Sequence, residues 1–170
     1  MADADTHRDP VAQRPRMPGG YGIARNDVDL NRFPWSWAEE QLVTARNYWI
    51  GTTRDDGRPH AAPVWGLWLG SALLFSTDPT SMKGRNMAAR PEIIVHLESG
   101  DDTVILEGAV EKMTDAAALA QFVDVYENKY GFRVDTSNAN FGVYRLRPHV
   151  ALTWREQSFP ESATRWEFGT

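Results

Sequence analysis

The segment FSTDPTSMKGRNMAARP, residues 75–91, places hydroxyl side chains, a lysine and an asparagine around the predicted start of a helix. Ser81 is a good N-cap, and the backbone N–H groups that follow it carry a partial positive charge. Lys83 falls in the first turn, where a cation opposes the helix dipole and gains nothing from it. Two interpretations are open. Thr77, Ser81, Lys83 and Asn86 bind an anion such as a phosphate, or the segment is an ordinary, well-capped connection.

Other residues that could do chemistry form no recognisable constellation. The four histidines are scattered, and no two of them have the spacing of metal ligands on one helix or strand; they are His7, His60, His96 and His149. We therefore predict no metal site. Glu107 and Glu111 share one face of a predicted strand. They could act as general acid and base, or they could form a solvated face, so no catalytic residue is assigned.

Composition limits the classes of protein that remain. Apolar residues make up 42% and charged residues 24% of the 170 residues, as in a globular domain. The 23 acidic residues outnumber the 18 basic ones, which argues against a nucleic-acid partner. No cysteine is present, so disulfides are excluded and a cytoplasmic location is expected. No apolar run is long enough to span a bilayer, and we expect no membrane partner.

The elements that must position these residues are mostly strands. Residues 1–20 are polar and rich in Pro and Gly, which predicts a flexible N-terminal arm before a single domain over residues 21–170. Asp56–Gly57 and Gly70–Ser71 predict tight turns between strands. Pro63 cannot donate to a ladder, so its strand should lie at an edge or a bulge.

Three helices are predicted between or before these strands. A capping box at Ser36 and Glu39 should open a helix to about Arg46, and further helices should cover residues 81–89 and 115–131. With about six strands joined by tight turns, the chain should be mainly β (α+β), an antiparallel barrel with flanking helices.

Three motifs then resemble one family in order and spacing. DDGRPHAAPVW, LLFSTDPTSMKGRNMAARPEIIVHL and VILEGAVEKM are similar to the pyridoxamine 5'-phosphate oxidase-like family of flavin-binding split barrels, over residues 45–155. The ending FPESATRWEF resembles actinobacterial members of its flavin/deazaflavin oxidoreductase branch. The resemblance implies a homodimer of six-stranded split β-barrels, with two cofactor sites at the subunit interface.

The resemblance also assigns cofactor-binding residues. It implies that the cofactor phosphate is held at Thr77, Ser81, Met82 and Lys83, to which the local pattern adds Asn86. The cofactor ring would lie against Ala62, Pro63, Val64 and Trp65, and the partner's C-terminal segment would close the site with Trp154, Arg165 and Trp166.

Two departures from the family pattern bear on the cofactor. Pyridoxamine phosphate oxidases proper carry arginines where this chain has Ala62 and Met82, so two guanidiniums that would clamp a phosphate are missing. Pyridoxamine phosphate oxidase activity is therefore not expected. The long acidic tail of the deazaflavin coenzyme F420 requires a mildly basic groove, which Arg54, Arg58, Lys83 and Arg85 could line. This favours F420 over FMN.

The function expected from the resemblance is hydride transfer from reduced F420 to an unsaturated or conjugated small organic substrate. One alternative keeps the fold with FMN, as a reductase or oxidase. Another is a non-catalytic protein that binds a flavin, a deazaflavin or haem. The substrate and the proton donor are not assigned.

Overall fold

The computed structural model describes residues 10–22 and 33–169, and every structural statement concerns these residues. Nine strands and four α-helices lie in these two ranges. The strands are β1 Val11–Gln13, β2 Tyr48–Thr53, β3 Pro59–Val64, β4 Gly66–Leu69, β5 Ala72–Thr77, β6 Glu92–His96, β7 Asp102–Lys112, β8 Gly142–Arg155 and β9 Thr164–Glu167. The helices are α1 Trp35–Thr44, α2 Met82–Ala89, α3 Ala116–Tyr130 and α4 Phe159–Ser162. In the same ranges, no helix has both the length and the apolar character needed to cross a membrane.

The strands form an antiparallel barrel that is split at one place. β3 and β4 are one stretch of chain interrupted at Trp65, and β3 pairs with β2 whereas β4 pairs with β5. The remaining ladders run from β2 through β6 and β7 to β8, and β8 pairs with β5. The barrel is therefore closed by the covalent connection from β3 to β4 at Trp65. No hydrogen-bonded ladder joins β3 to β5 in the described residues. This confirms the mainly-β split barrel, and counting β3 and β4 as one strand gives the predicted six.

The sheet continues beyond the barrel at its other side. β9 pairs with the second half of β8, and β1 pairs with β9. β1 belongs to the segment predicted as a flexible arm, of which residues 1–9, with His7, lie outside the described residues. A strand of three residues is too short to show alternation in the sequence, so the pairing of Val11 with Glu167 left no signal there. The domain boundary at residue 20 stays a prediction.

The predicted turns and most helix boundaries are found in the structure. Gly70 and Ser71 have φ of 55° and 59°, the left-handed values that a two-residue hairpin loop requires, and Gly57, with a φ of 85°, is the left-handed residue of the longer loop between β2 and β3. Ser81 caps α2 by accepting the Gly84 N–H at 3.2 Å. Gly131, with a φ of 68°, ends α3.

The capping box predicted for α1 was wrong. The helix begins at Trp35 after Pro34, which places Ser36 inside the first turn with no cap to make. The proline presets the backbone angle φ at the helix start without a side-chain hydrogen bond. Glu39 instead accepts a hydrogen bond from the Trp68 indole N–H at 3.0 Å, which ties α1 to β4.

Two apolar clusters hold these layers together. The first fills the barrel and includes Tyr48, Phe75, Leu106 and Leu146, with α1 covering it. The second lies between α3 and the outer surface of β4 and β5, where Phe122 is fully buried. α3 is thereby fixed beside the interruption at Trp65, and α2 packs against β2 and β3 on the other side.

Candidate functional site

A cavity of about 330 Å³ opens at the split in the barrel. The β4–β5 ladder ends at Gly66 and Phe75, so the last two residues of β5 extend past it towards β3. α2 follows β5 closely, and α3 packs nearby. The cavity is lined by Asn47, Pro63, Val64, Trp65, Ser76, Thr77, Lys83 and Tyr126. Its size lies in the range of about 300–1,000 Å³ that small-molecule sites occupy.

Several polar side chains that line this cavity have no hydrogen-bond partner among the described residues, Lys83 and Ser76 among them. Lys83 is half-buried, and its ammonium makes no hydrogen bond or ion pair with any described residue. The Ser76 hydroxyl oxygen is fully buried and also has no hydrogen-bond partner among the described residues. Leaving a buried hydroxyl unsatisfied costs about 1–3 kcal/mol, so a bound water, ion or ligand commonly satisfies such a group. Together they suit a ligand with a negatively charged or polar end.

The loop before α2 is rigid and uses its own polar groups. The Thr80 amide and hydroxyl donate to the Asp78 carboxylate at 2.7 and 2.8 Å, and the Ser81 hydroxyl donates to the Asp78 carbonyl at 2.6 Å. The Thr80 hydrogen bonds, with a smaller effect of the Lys83 charge, hold the pKa of Asp78 below its usual value. A Cβ on Gly84 would lie 2.5 Å from the carbonyl oxygens of Asp78 and Pro79, so only glycine allows this approach. Lys83 is therefore presented by a preorganised turn.

Trp65 forms an aromatic wall of the cavity, and α3 holds it in place. Its ring stacks on Tyr130 with centroids 4.8 Å apart and an interplanar angle of 3°. The Tyr130 hydroxyl lies 2.8 Å from the carbonyl oxygens of Arg46 and Gly66 and accepts the Gly66 N–H at 3.0 Å. The barrel is thus pinned where β3 ends and β4 begins.

Lys129 supports the same junction from the protein interior. Its ammonium donates to the carbonyls of Val43 and Gly66 and to the Tyr48 hydroxyl, each at 3.2 Å. Burial lowers the pKa of Lys129, and burial also raises the pKa of Tyr48, so the phenol stays neutral. The lysine is a structural cation rather than a ligand for the cavity.

The cavity brings together part of the predicted site. Pro63, Val64, Trp65, Thr77 and Lys83 line it, as expected from the sequence. Ala62, Ser81, Met82 and Asn86 do not.

Asn86 and Met82 were predicted to be site residues on α2, but their side chains have other contacts. Asn86 is buried, and its amide donates to the Thr52 hydroxyl at 2.9 Å, which joins α2 to β2. The Met82 side chain is 37% exposed, with its sulfur 4.0 Å from the Arg85 guanidinium.

The C-terminal residues divide between two faces of the sheet. Trp154 and Arg165 lie on the outer face, where Trp154 packs edge-to-face on Phe159 at 5.7 Å and Arg165 pairs with Glu167 at 3.4 Å. Trp166 points inward, is 5% exposed, and donates to the Thr153 hydroxyl at 2.8 Å. It is part of the barrel core, because side chains alternate along β9 and Trp166 therefore points to the face opposite that of Arg165.

Three lining residues were missed by sequence reasoning. Ser76 precedes Thr77, and strict alternation would have sent it to the other face, but β5 ends here. Asn47, which donates to Glu98 at 3.3 Å, lies in a short connection without a recognisable pattern. Tyr126 recurs at helical spacing with core residues of α3, a pattern that indicates core packing rather than a site.

A larger cavity, of about 600 Å³, lies between α3 and residues 133–137. Its cation is already neutralised, because Arg133 contacts Asp124 at 3.2 Å and Glu127 at 2.6 Å. No unpaired buried polar atom lines it in the described chain. We therefore place the candidate site at the split, where unpaired groups converge. The described residues contain no cluster of three potential metal ligands.

Comparison with known families agrees with this architecture. Residues 38–155 match the pyridoxamine 5'-phosphate oxidase family, and the chain belongs to it. No curated protein sequence is similar enough to be matched.

Solved structures share the fold at low sequence identity. An F420 reductase is 23% identical, with a TM-score of 0.54 over 66% of this chain and 94% of its own. A conserved hypothetical protein from Mycobacterium tuberculosis is 19% identical, with a TM-score of 0.64 over 80% and 92%. The heme storage protein HutZ from Vibrio cholerae is 14% identical, with a TM-score of 0.58 over 66% and 88%.

Proposed function

We propose that this protein is a cytoplasmic oxidoreductase that uses reduced coenzyme F420 to transfer a hydride to an unsaturated or conjugated small organic molecule. The observation that carries the proposal is the unpaired ammonium of Lys83, which faces an aromatic wall at the split of the barrel. When bound, the cofactor would supply the hydride, and the protein would supply position and a partly dry pocket.

The residues present fit the phosphate end of such a cofactor. Lys83 offers a free ammonium, and Thr77 offers a hydroxyl at the end of β5. The start of α2 adds the partial positive charge of the helix N-terminus. At the other wall, Trp65 and the free edge of β3 at Pro63 would contact the ring.

F420 is favoured over FMN by what the helix start lacks. Met82 supplies no second cation beside Lys83, so a bidentate phosphate clamp is not available. The predicted basic groove is weaker than its sequence implies, because Arg58 pairs with Asp56 at 2.7 Å and Arg85 donates to the Thr80 carbonyl. Of the four predicted groove residues only Lys83 lines the cavity within the described chain, so we expect it to make the phosphate contact. The likeness to an F420 reductase is consistent with this choice.

The proposal includes a homodimer that completes the site. A row of outer-face residues runs from the cavity across the sheet; it pairs Pro63 with Trp49, Trp49 with His96, His96 with Ile105, and Ile105 with Leu152. In the adjacent row Ile94 is 45% exposed. A second copy on this face would bury it and reach the cavity edge at Pro63, with Trp154 and Arg165 on the same outer face.

FMN-dependent chemistry in the same cavity is the second candidate, because a single lysine with backbone N–H groups can also hold an FMN phosphate. A non-catalytic binder of a flavin, a deazaflavin or haem is the third. Titration of the purified protein with F420, FMN and haem separates them. Tight FMN binding without F420 binding would exclude the first, and F420 binding without turnover of enones or quinones would favour the third.

The site itself is tested by Lys83→Ala, with Lys112→Ala as a matched control at the exposed end of β7. Loss of one charge-assisted contact should weaken F420 by about 1.5–3 kcal/mol, roughly 10- to 150-fold in Kd, with the control unchanged. Kd is measured by fluorescence titration, and the melting temperature shows that each variant is folded. Equal F420 affinities for Lys83→Ala and the wild type would show that the cofactor phosphate does not bind in this cavity.

A further inference from the structure

Tyr126 is a buried residue of the candidate site whose hydroxyl has no hydrogen-bond partner among the described residues. Its side chain is 5% exposed and lines the split cavity beside Trp65. The hydroxyl forms no hydrogen bond with any described residue, and because it is not among the fully buried unpaired atoms it keeps some accessible surface. A phenol buried for packing alone would normally find a partner.

The surroundings of Tyr126 fix its ring but not its hydroxyl. The ring packs on Phe122 with centroids 5.0 Å apart and on Tyr130 at 4.7 Å. Tyr130 is itself held by the carbonyls of Arg46 and Gly66. One donor is therefore presented on a rigid helix, and a donor that needs no reorganisation is worth most to a ligand.

The hydroxyl remains a donor over the physiological range. Burial, with a smaller effect of neighbouring Tyr130, raises the pKa of Tyr126 to about 12. Lys83 enters the cavity from α2, whereas Tyr126 enters from α3 with the aromatic wall. When a ligand is bound at Lys83, the α3 side of the cavity remains available for a second, neutral group.

Resting on the function proposed above, we propose that the Tyr126 hydroxyl binds the carbonyl oxygen of the organic substrate, which is therefore a planar conjugated carbonyl compound. The substrate would stack along the Trp65 wall. In the proposed reaction the hydride adds to the β-carbon of the C=C bond that is conjugated to this carbonyl. The π electrons shift towards the carbonyl oxygen, and water supplies the proton that completes the reduction. A hydrogen bond to that oxygen strengthens as the negative charge develops.

Binding of a matched pair of probes tests this without turnover. Menadione and 2-methylnaphthalene have the same fused-ring shape, and only the first has carbonyl acceptors. Their Kd values are measured by ligand-observed NMR on the wild type, Tyr126→Phe and the exposed control Tyr21→Phe. We expect the wild type and the control to prefer menadione, and Tyr126→Phe to lose about 3- to 10-fold of that preference.

Each other result contradicts the inference. If the wild type does not prefer menadione, or if Tyr126→Phe keeps the preference, the Tyr126 hydroxyl does not bind the substrate carbonyl. A tenfold weaker Kd for F420 in Tyr126→Phe, with the preference intact, assigns the hydroxyl to the cofactor. F420 titration of the wild type is read separately, so failure of the proposed cofactor is distinguished from failure of the substrate contact. Unchanged melting temperatures show that the variants are folded.

Discussion

Polar side chains in and around this cavity divide into those without a partner and those that hold elements together. Ser76 and Lys83 are unpaired and contribute little to folding, whereas Asn86 and Lys129 are paired and hold elements together. The sequence pattern could not divide them, since all four are polar residues beside or within amphipathic elements. Pairing depends on which distant group each side chain meets.

At this scale, Tyr126 predicts how stability responds to alkaline pH. Its pKa is about 12 in the folded protein against 10.0 unfolded, so the unfolded chain loses its phenolic proton first. Stability from this group is complete below pH 10 and is lost as pH rises through 12. The loss should be about 2–3 kcal/mol at pH 12.

Urea unfolding of the wild type and Tyr126→Phe at pH 9.5 and pH 12 measures this. The pKa of Lys129 is lowered by burial and has the opposite sign, since it adds stability as pH rises towards 10.5. Burial raises the pKa of Tyr48 as well, so the Tyr126 contribution is read from the difference between the wild type and Tyr126→Phe. Tyr126→Phe should lose less stability than the wild type between the two pH values. An equal loss in both proteins would show that Tyr126 titrates normally.

Among the elements, those fixed by local chemistry were predictable and those fixed by distant pairing were not. The turns at Asp56–Gly57 and Gly70–Ser71, and the α2 cap at Ser81, depend on residues within a few positions. By contrast, the meeting of Lys83 with Tyr126 requires α2 and α3 to reach the same cavity from separate parts of the chain. The resemblance to the family singled out Pro63, Val64 and Trp65, which line the cavity, but it could not show that Trp166 turns inward.

The position of α2 depends on the Asn86–Thr52 hydrogen bond, which offers a test of element placement. Asn86→Ala and Thr52→Val each break this buried bond, and each should lower the free energy of unfolding by about 1–3 kcal/mol. If the bond positions Lys83, both variants should weaken F420 by a similar factor. If Asn86 contacts the phosphate, as the sequence suggested, only Asn86→Ala should do so. Denaturant unfolding and F420 titration of the two variants decide between these outcomes.

For the whole molecule, the outer face of β3, β2 and β6 predicts the oligomeric state. Ile94 is 45% exposed in the middle of this face, where its side chain covers Gly51 of the neighbouring strand. Phe132, at 44% exposed, lies in the connection after α3 and serves as a control of equal exposure. An aspartate at either position adds one charge to an exposed apolar surface, but only Ile94→Asp would bury that charge against a partner.

We therefore expect the wild type and Phe132→Asp to be dimers and Ile94→Asp to be a monomer, by size-exclusion chromatography with light scattering. Because the face reaches the cavity edge at Pro63, the monomer should also bind F420 more weakly than the dimer. A monomeric wild type would contradict the homodimer itself. A dimeric Ile94→Asp would place the interface elsewhere on the molecule. Full F420 affinity in a monomeric Ile94→Asp would show that one chain forms the whole site.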